Sequence, residues 1–230
     1  MSASQVLRSV IELKPRFLEG LAPSEVESII SVATRRKFRA HSIITPEGYR
    51  AERLFLLIEG RARGFCITSS GEKILLGWFP PGEMLGGAAF LSKPLNYLVS
   101  TEAATDSAAL EWDRATIRSL SARFPQLLEN ALLIAYDYFI LYRSLHVSAT
   151  CHSARQRLAQ VLGNLAIGLG RQVPDGIELD IRNEELASEA NITIFTASRL
   201  LNEWQRMGIL TKGRVKILLR SPEALMLSKD

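Results

Sequence analysis

The sequence predicts an α+β protein made of three consecutive parts, and three observations indicate this. Short apolar runs separated by glycine-containing turns fill the first half of the 230 residues. A long helical stretch follows, and mixed helices and strands make up the rest. The hydrophobic fraction of 47% and the charged fraction of 23% are typical of folded domains and exclude a disordered chain. We place the three parts at residues 1–124, 125–147 and 148–230.

Apolar runs in the first part predict the strands of a sandwich or barrel. The predicted strands are Val32–Phe38, Ser42–Thr45, Arg53–Ile58, Ala62–Thr68, Lys73–Phe79 and Leu98–Ala104. Turn residues such as Gly71 and Pro81-Gly82 separate several of them, because glycine supplies positive φ and proline fixes φ. A short helix, Pro23–Ala33, precedes the strands.

The second part carries an apolar seam at alternating steps of three and four residues, the spacing of a helix that pairs with another helix. The seam consists of Leu127, Ala131, Ile134, Tyr138, Leu141 and Leu145. A second apolar row lies beside it and consists of Leu128, Leu132, Ala135, Phe139 and Tyr142. A helix that is apolar on two faces must be covered on both, so we expect a homodimer with the seam at its interface. The alternative is a core helix of a monomer.

In the third part, a helix at Ala154–Leu169 and a strand at Gly176–Ile181 precede two further helices, Asn183–Glu189 and Thr193–Met207. Asn191 lies in the turn between these two helices and tolerates the left-handed conformation, and Thr193 is a suitable N-cap. The second helix has a buried stripe of Ala197, Leu200, Leu201 and Trp204. This pattern predicts a helix-turn-helix, whose second helix enters the major groove of DNA.

Double-stranded DNA is therefore the expected partner. The candidate contacts on the second helix are Thr193, Phe195, Thr196, Ser198, Arg199 and Asn202. The strand pair Ile209–Leu219, which turns at Lys212-Gly213, predicts a wing that brings the cations Lys212, Arg214 and Lys216 near phosphate. The net charge of +4 permits a polyanionic partner without requiring one.

The chain resembles the CRP/FNR family of bacterial transcription regulators over nearly all of its length. The segments that carry this resemblance are LFLLIEGRA at 54–62, SSGEKILL at 69–76, PPGEMLGGAAFL at 80–91 and GIELDIRNEELASEANITIFTASRLLNEWQRMGIL at 176–210. The resemblance implies a sensor β-roll like a cyclic-nucleotide-binding domain, a dimerisation helix and a winged helix-turn-helix. It also implies a cytoplasmic protein that contacts RNA polymerase, with the loop at 170–175 where activating members touch the polymerase.

The predicted recognition helix departs from the family pattern at one position. Arg199 matches the arginine that family members use to contact bases, and Ser198 precedes it as in FNR-like proteins. Phe195 stands where the family commonly has glutamate. We expect a two-fold-symmetric DNA site with one guanine per half-site contacted by Arg199, and an altered preference beside it. The alternatives are that Arg199 holds a phosphate and that Phe195 packs against its own domain.

The family's cyclic AMP binders use a Gly-Glu pair and an Arg-Ser pair to hold the nucleotide. Here Gly86 is kept, whereas Gly87, Tyr97 and Leu98 stand at the glutamate, arginine and serine positions. None of these four residues is a cation that could meet the phosphate, so we expect that cyclic AMP does not bind in the usual way. Tyr97, Leu98 and Tyr142 either line a cleft for an apolar or aromatic effector or fill the pocket. In the second case the regulator is constitutive and its β-roll is structural only.

Other cofactor chemistries and activities are not expected. The cysteines Cys66 and Cys151 are too few and too far apart for an iron–sulfur cluster or a structural zinc site. The histidines, His41, His146 and His152, are isolated, so we expect no haem and no metal; Cys151 and His152 have either a redox role or none. Phosphate-loop, HExxH and GxSxG motifs are missing, so an enzyme is not expected. We expect neither a secretory signal nor a membrane span, because the first residues lack an unbroken apolar stretch and no stretch approaches the roughly 20 apolar residues that span a membrane.

Overall fold

The computed structural model describes residues 3–213, 215–222 and 225. The chain folds into two compact units, Met1–Ile140 and Leu141–Asp230. The boundary between the two units falls inside the long helix α4, Gln126–Cys151. Within the described residues, no helix combines the length and the apolar character that crossing a membrane requires.

The first unit consists of two antiparallel four-stranded sheets with helices packed around them. Its strands are β1 (Thr34–Phe38), β2 (Ile43–Thr45), β3 (Arg53–Glu59), β4 (Ala62–Ile67), β5 (Lys73–Phe79), β6 (Met84–Leu85), β7 (Ser100–Ala103) and β8 (Ser107–Asp113). The sheet orders are β1-β8-β3-β6 and β2-β7-β4-β5. The helices are α1 (Ala3–Leu13), α2 (Pro23–Ser31), α3 (Arg114–Arg123) and the first part of α4, with 3₁₀ turns at Arg16–Leu18 and Gly87–Phe90.

The predicted strands of this unit match the observed ones closely, and β8 is the long strand that the pattern missed. In β8 both faces are buried: Ala108, Leu110 and Trp112 pack in the core that includes the helices, and Ala109 packs in the cluster shared with the second sheet. The strand therefore lacks the apolar and polar alternation that marks a half-exposed strand. Its Ala-Ala-Leu-Glu sequence also favours a helix by propensity.

The core of the first unit is built around aromatic side chains. The ring of Phe17 makes edge contacts with the rings of Phe90 and Trp112, with centroid distances of 5.9 and 6.1 Å. The indole nitrogen of Trp112 donates a hydrogen bond of 2.9 Å to the carbonyl oxygen of Ile29 in α2. This bond satisfies the one polar atom of a side chain that is otherwise fully buried.

Helix α4 closes this core with the face that we expected at a dimer interface. Leu127, Ala131 and Ile134 are at most 9% exposed and belong to the core cluster of the first unit. The Tyr138 ring packs on Phe79 at 6.0 Å, and its hydroxyl donates to the Glu83 carboxylate at 3.1 Å. The prediction that these seam residues line a dimer interface is wrong, because their own unit already buries them. Leu141 and Leu145 are half-buried and lie in the second unit.

Asn130 explains why this face of α4 points inward. It is 5% exposed, and its side-chain amide donates to the carbonyl oxygens of Phe17 and Glu19 at 3.0 and 2.8 Å. The side-chain amide of Gln126 donates to the side-chain oxygen Oδ1 of Asn130 at 3.0 Å. Because a buried amide costs free energy unless it is hydrogen-bonded, these contacts fix the rotation of the helix about its axis.

The opposite side of α4 presents a large exposed apolar face. Its residues are between 38% and 69% exposed, and they are Leu128, Leu132, Leu133, Tyr136, Phe139 and Ile140. This exposed apolar face includes three of the five residues of the second apolar row, Leu128, Leu132 and Phe139. A contiguous patch of this kind is typical of an interface.

An ionic cluster around the buried Glu102 joins the strands of the second sheet. The Glu102 side chain in β7 is 7% exposed and accepts hydrogen bonds from Arg63 Nε at 2.5 Å and Lys73 Nζ at 2.7 Å. Burial by itself raises the pKa of the Glu102 carboxyl, but the hydrogen bonds from Lys73 and Arg63 outweigh it and lower the pKa below its ordinary value of 4.5. Glu102 therefore stays ionised in the folded protein.

We expect Glu102→Gln to destabilise the first unit by about 1–3 kcal/mol at neutral pH, because the two cations lose their buried counterion. Since the folded pKa lies below the unfolded one, the stabilisation is complete above the unfolded pKa and is lost as the pH falls through the folded pKa. In thermal unfolding from pH 3 to pH 7, the difference in melting temperature between wild type and variant should thus be largest near pH 7 and should disappear at low pH. Glu52→Gln, in an exposed pair with Arg50, should change stability little. A difference in melting temperature that does not change with pH would contradict a stabilising role for the ionised Glu102 carboxylate.

The second unit packs three helices against a small antiparallel sheet. The helices are α5 (Ala154–Gly168), α6 (Asn183–Glu189) and α7 (Ile194–Arg206), and the strands are β9 (Arg171–Val173), β10 (Gly176–Asp180), β11 (Leu210–Lys212) and β12 (Lys216–Leu219). The sheet order is β11-β12-β10-β9. Leu158, Leu162 and Trp204 are fully buried in this unit.

Candidate nucleic-acid interface

The turn between α6 and α7 adopts the predicted geometry. Asn191 has a φ of 50°, in the left-handed region that Asn tolerates. The Thr193 side chain caps α7 by accepting a hydrogen bond of 3.1 Å from the backbone nitrogen of Thr196. These two residues let the chain leave α6 and enter α7 within a few residues.

Arg157 in α5 holds this turn, and the sequence analysis did not identify it. Its guanidinium donates to the carbonyl oxygens of Ala190 at 3.0 Å, Asn191 at 3.1 Å and His152 at 2.9 Å. The fork of an arginine side chain suits several carbonyl acceptors at once. The signal available in the sequence was an arginine next to the buried residues of α5, where a charged side chain needs a hydrogen-bond partner.

We expect Arg157→Ala to destabilise the second unit by about 1–3 kcal/mol, because it removes hydrogen bonds from a charged donor. Arg157→Lys should recover only part of this stability, since an ammonium lacks the planar fork. Hydrogen exchange of the amides at 190–192 measures the effect where it arises, and faster exchange is expected in both variants. Unchanged exchange in Arg157→Ala would rule out this role.

The exposed face of α7 lies opposite its buried stripe. Ala197, Leu200, Leu201 and Trp204 are buried. At 100° per residue the opposite face carries Phe195, Arg199 and Asn202, and all three are exposed. Thr193 is also exposed, whereas Thr196 and Ser198 are half-buried at the sides of the helix. The Ser198 hydroxyl accepts a long hydrogen bond of 3.4 Å from Asn183.

Arg199 is placed to reach beyond the protein surface. Its side chain is 67% exposed, and its guanidinium lies 3.9 Å from the Glu203 carboxylate. Glu203 is hydrogen-bonded mainly by Arg155, whose hydrogen bond lowers the pKa of the Glu203 carboxyl. Arg155 also lies over the Trp204 ring, 5.8 Å from its centroid. Because Arg155 serves as the principal partner of Glu203, Arg199 keeps most of its donors for a ligand.

The strands after α7 form the predicted hairpin, but its lysines are engaged within the unit. The Lys212 ammonium donates to the Asn202 side chain at 2.8 Å, and the Lys212 backbone nitrogen donates to Gln205 at 3.1 Å. Lys216 forms an ion pair of 3.0 Å with Glu178. Arg214 lies outside the described residues. The Lys216 side chain is 55% exposed and its ammonium has three donors, so Lys216 can contact a phosphate while it keeps this ion pair.

At the predicted effector site, the Tyr97 side chain is bonded to the protein's own backbone. The Tyr97 hydroxyl donates to the carbonyl oxygen of Arg53 at 2.9 Å and accepts from the Arg53 backbone nitrogen at 3.2 Å. Gly86 has a φ of 82°, and a Cβ there would lie 2.6 Å from the Arg53 carbonyl oxygen and 3.0 Å from the Tyr97 ring. Glycine is therefore required at position 86 by the positive φ and by the close approach of the Arg53 backbone and the Tyr97 ring.

The other members of the predicted cleft are not gathered around Tyr97. Leu98 is 84% exposed, so the prediction that it lines a cleft is wrong. A Cβ at Gly87 would meet only the end of Met84, at 3.3 Å. Tyr142 is 37% exposed and belongs to the second unit. Of the predicted effector residues, the structure thus brings together Gly86 and Tyr97.

Tyr97 instead borders an open cleft of about 440 Å³ in the first unit. Its apolar wall includes Phe38 and Phe55, and its rim carries Arg36, Arg53 and Glu111. The two arginines both form ion pairs with Glu111, at 2.9 and 3.0 Å. Arg36 and Arg53 are therefore held by an acid of the same surface.

A metal site is not found among the described residues, where no group of three or more His, Cys, Asp or Glu side chains is gathered. Cys66 is a half-buried free thiol in β4. His152 is exposed, and the side chain of Cys151 lies outside the described part of the chain.

Comparison with known proteins assigns both units to known domain families. The cyclic nucleotide-binding domain family matches residues 35–124, and the Crp-like helix-turn-helix domain family matches residues 156–227. The cyclic AMP receptor protein of Thermus thermophilus is 29% identical over 211 residues, which cover 91% of this chain and 94% of that protein. The anaerobic regulatory protein of Bacillus subtilis is 21% identical, with coverage of 87% and 85%.

Solved structures share the fold. FixK2 from Bradyrhizobium japonicum superimposes with a TM-score of 0.74 at 21% identity, covering 84% of this chain and 96% of that one. The catabolite activator protein of Thermus thermophilus gives a TM-score of 0.52 at 28% identity, with coverage of 91% and 96%. The two domain families together match about 70% of the chain, and the relatives found are regulators of this type, so the chain belongs to the CRP/FNR family of transcription regulators.

Proposed function

We propose that this protein is a homodimeric regulator that binds a two-fold-symmetric DNA site with the exposed face of α7. The observation that carries the proposal is the placement of Phe195 and Arg199 on the face of α7 opposite its buried stripe, with the helix capped at Thr193. Residues in the N-terminal half of such a helix contact base edges in the major groove. A guanidinium with free donors can bond both O6 and N7 of a guanine.

The proposed dimer uses the exposed apolar face of α4. Its six residues span Leu128 to Ile140, about 18 Å of helix at 1.5 Å per residue. We choose a second copy of the chain as the occupant, because a face that runs straight along one helix is complementary to itself under two-fold symmetry. Such a pair would supply two recognition helices to one symmetric DNA site.

Cyclic AMP is not expected to act on this protein in the way the Thermus relative's name implies. The cassette offers Gly87, Tyr97 and Leu98, and the Tyr97 hydroxyl is already bonded to Arg53 backbone atoms. A buried phosphate without a cation is unfavourable. Two candidates remain: a regulator whose β-roll senses another effector, and a constitutive regulator whose β-roll is structural only. The hydrogen bonds of Tyr97 to the Arg53 backbone favour the second candidate.

We therefore expect no change in DNA affinity when cyclic AMP is added to 1 mM, with the affinity measured by fluorescence anisotropy on the enriched duplex described below. A panel of other small metabolites in the same assay separates the two candidates. A ligand that shifts DNA affinity supports a sensor, because only differential binding can shift an equilibrium. A fall in the dissociation constant with cyclic AMP would contradict the first expectation.

The function itself is tested by selection from a random-sequence duplex library with the full-length protein. We expect enrichment of an inverted repeat whose half-sites are about one helical turn apart. Failure to enrich any sequence would contradict the proposal. RNA polymerase is a further proposed partner, supported by family membership and by the surface at 170–175, of which Arg171–Val173 is strand β9 rather than loop.

A further inference from the structure

The first turn of α7 presents an apolar side chain to solvent on the proposed DNA-binding face. Phe195 is 89% exposed, and Ile194 beside it is 48% exposed. This exposure rules out the alternative that Phe195 packs against its own unit in the described structure. The other exposed residues of that face, Arg199 and Asn202, are polar.

A phenyl ring can neither donate nor accept an ordinary hydrogen bond, so its contacts to base edges are apolar. In the major groove the apolar group that base pairs present is the C5-methyl of thymine. Phe195 lies four residues before Arg199, which places their Cβ atoms about 5–6 Å apart on one face. At roughly 3.4 Å per base-pair step, this distance corresponds to about two steps.

We propose that Phe195 contacts the methyl group of a thymine in each half-site, within about two base pairs of the base that Arg199 contacts. The inference rests on the proposed function. It assigns to Phe195 a specificity-determining role, with the adjacent Ile194 enlarging the apolar surface that excludes water from the methyl group. The site should therefore require T at that position for its methyl group and not only for its hydrogen-bonding edge.

Two other roles for Phe195 make different predictions. Packing on a sugar would stabilise the complex at any base and would be insensitive to the methyl group. Docking of a protein partner would leave DNA affinity unchanged when Phe195 is truncated. Both are outcomes of the experiment below.

The probe is the duplex enriched from the random library, with each thymine replaced one at a time by deoxyuridine, which removes only the methyl group. Burying one methyl group corresponds to about a fourfold change in binding. We expect one thymine per half-site at which the replacement weakens wild-type binding about fourfold, and no such effect in Phe195→Ala. Ile167→Ala is the matched control, because Ile167 is also 89% exposed but lies in α5. It should keep the wild-type sensitivity.

The proposal is overturned if every replacement changes wild-type binding by less than twofold, or if Phe195→Ala keeps the same sensitivity. In either case an enriched inverted repeat would leave the proposed function standing. A library that yields no enriched sequence overturns the proposed function and this inference together. The comparison of wild type and variant on paired duplexes cancels any change in DNA shape that deoxyuridine causes.

Discussion

Arg199→Ala is expected to abolish discrimination at one base pair of each half-site, at a cost of about 1–3 kcal/mol per half-site. The physical reason is that the guanidinium is 67% exposed and only loosely paired with Glu203, at 3.9 Å, so it can bond a guanine edge in two places. The measurement is the affinity of wild type and variant for the enriched duplex and for its single-base substitutions, at one fixed salt concentration.

The matched control is Arg206→Ala, which removes the same charge from the same side of α7 nearly two turns further along. It should weaken binding to all sequences alike, as the loss of a phosphate contact does. A uniform loss in Arg199→Ala as well would show that Arg199 holds a phosphate. Glu203→Gln should leave the base preference intact, because Arg155 is its principal partner.

Leu132→Glu should convert the protein to a monomer and lower DNA affinity about 100-fold or more, toward the range of non-specific binding. Leu132 is 69% exposed at the centre of the exposed apolar face of α4, so the substitution does not disturb the core of its own unit. Placing like charges at the centre of a two-fold interface opposes pairing. Sedimentation equilibrium and DNA titration on the same samples measure the two effects.

Leu98→Glu is the control, because Leu98 is 84% exposed in the same unit but lies outside α4. It should remain dimeric. A monomeric wild type, or a Leu132→Glu protein that stays dimeric with full DNA affinity, would contradict the proposed interface. Leu127→Glu would be uninformative about pairing, because Leu127 is fully buried in the core.

The second unit is the part that the sequence predicted best. The predicted helix Asn183–Glu189 matches α6, and Thr193–Met207 includes α7 with its two cap residues. The pattern succeeds because one face of α7 is buried and the other is exposed, so the 3.6-residue period is visible. Asn191 and Thr193 were identified from local conformational preferences, which depend little on distant contacts.

The rotation of α4 could not be predicted in the same way. Both rows of the helix are apolar, so periodicity does not distinguish the face buried by its own unit from the face left exposed. The choice is made by distant residues: Phe17 and Glu19 accept the hydrogen bonds of Asn130, and Glu83 accepts that of Tyr138. Asn130 was the available signal, because a polar residue beside an apolar seam needs a specific partner.

Side chains that bond to a backbone group or a charged residue far along the sequence were not predicted either, because their partners are distant. Arg157 holds the turn at 190–191, and Arg155 holds Glu203, each across more than 30 residues of sequence. Likewise, the family resemblance placed Tyr97 and Leu98 at one pocket, because they stand at the positions of an adjacent Arg-Ser pair. Matching positions do not fix where a different side chain points: Tyr97 is buried, whereas Leu98 is exposed.

Hydroxyl-radical footprinting of the full-length protein on the enriched duplex tests the central claim most directly. Two copies of α7 in one dimer should protect two backbone segments related by two-fold symmetry, with half-site centres about 10–10.5 base pairs apart on one side of the duplex. Leu132→Glu should lose this paired pattern at the same protein concentration. A single protected segment, or two segments without two-fold symmetry, would contradict the account.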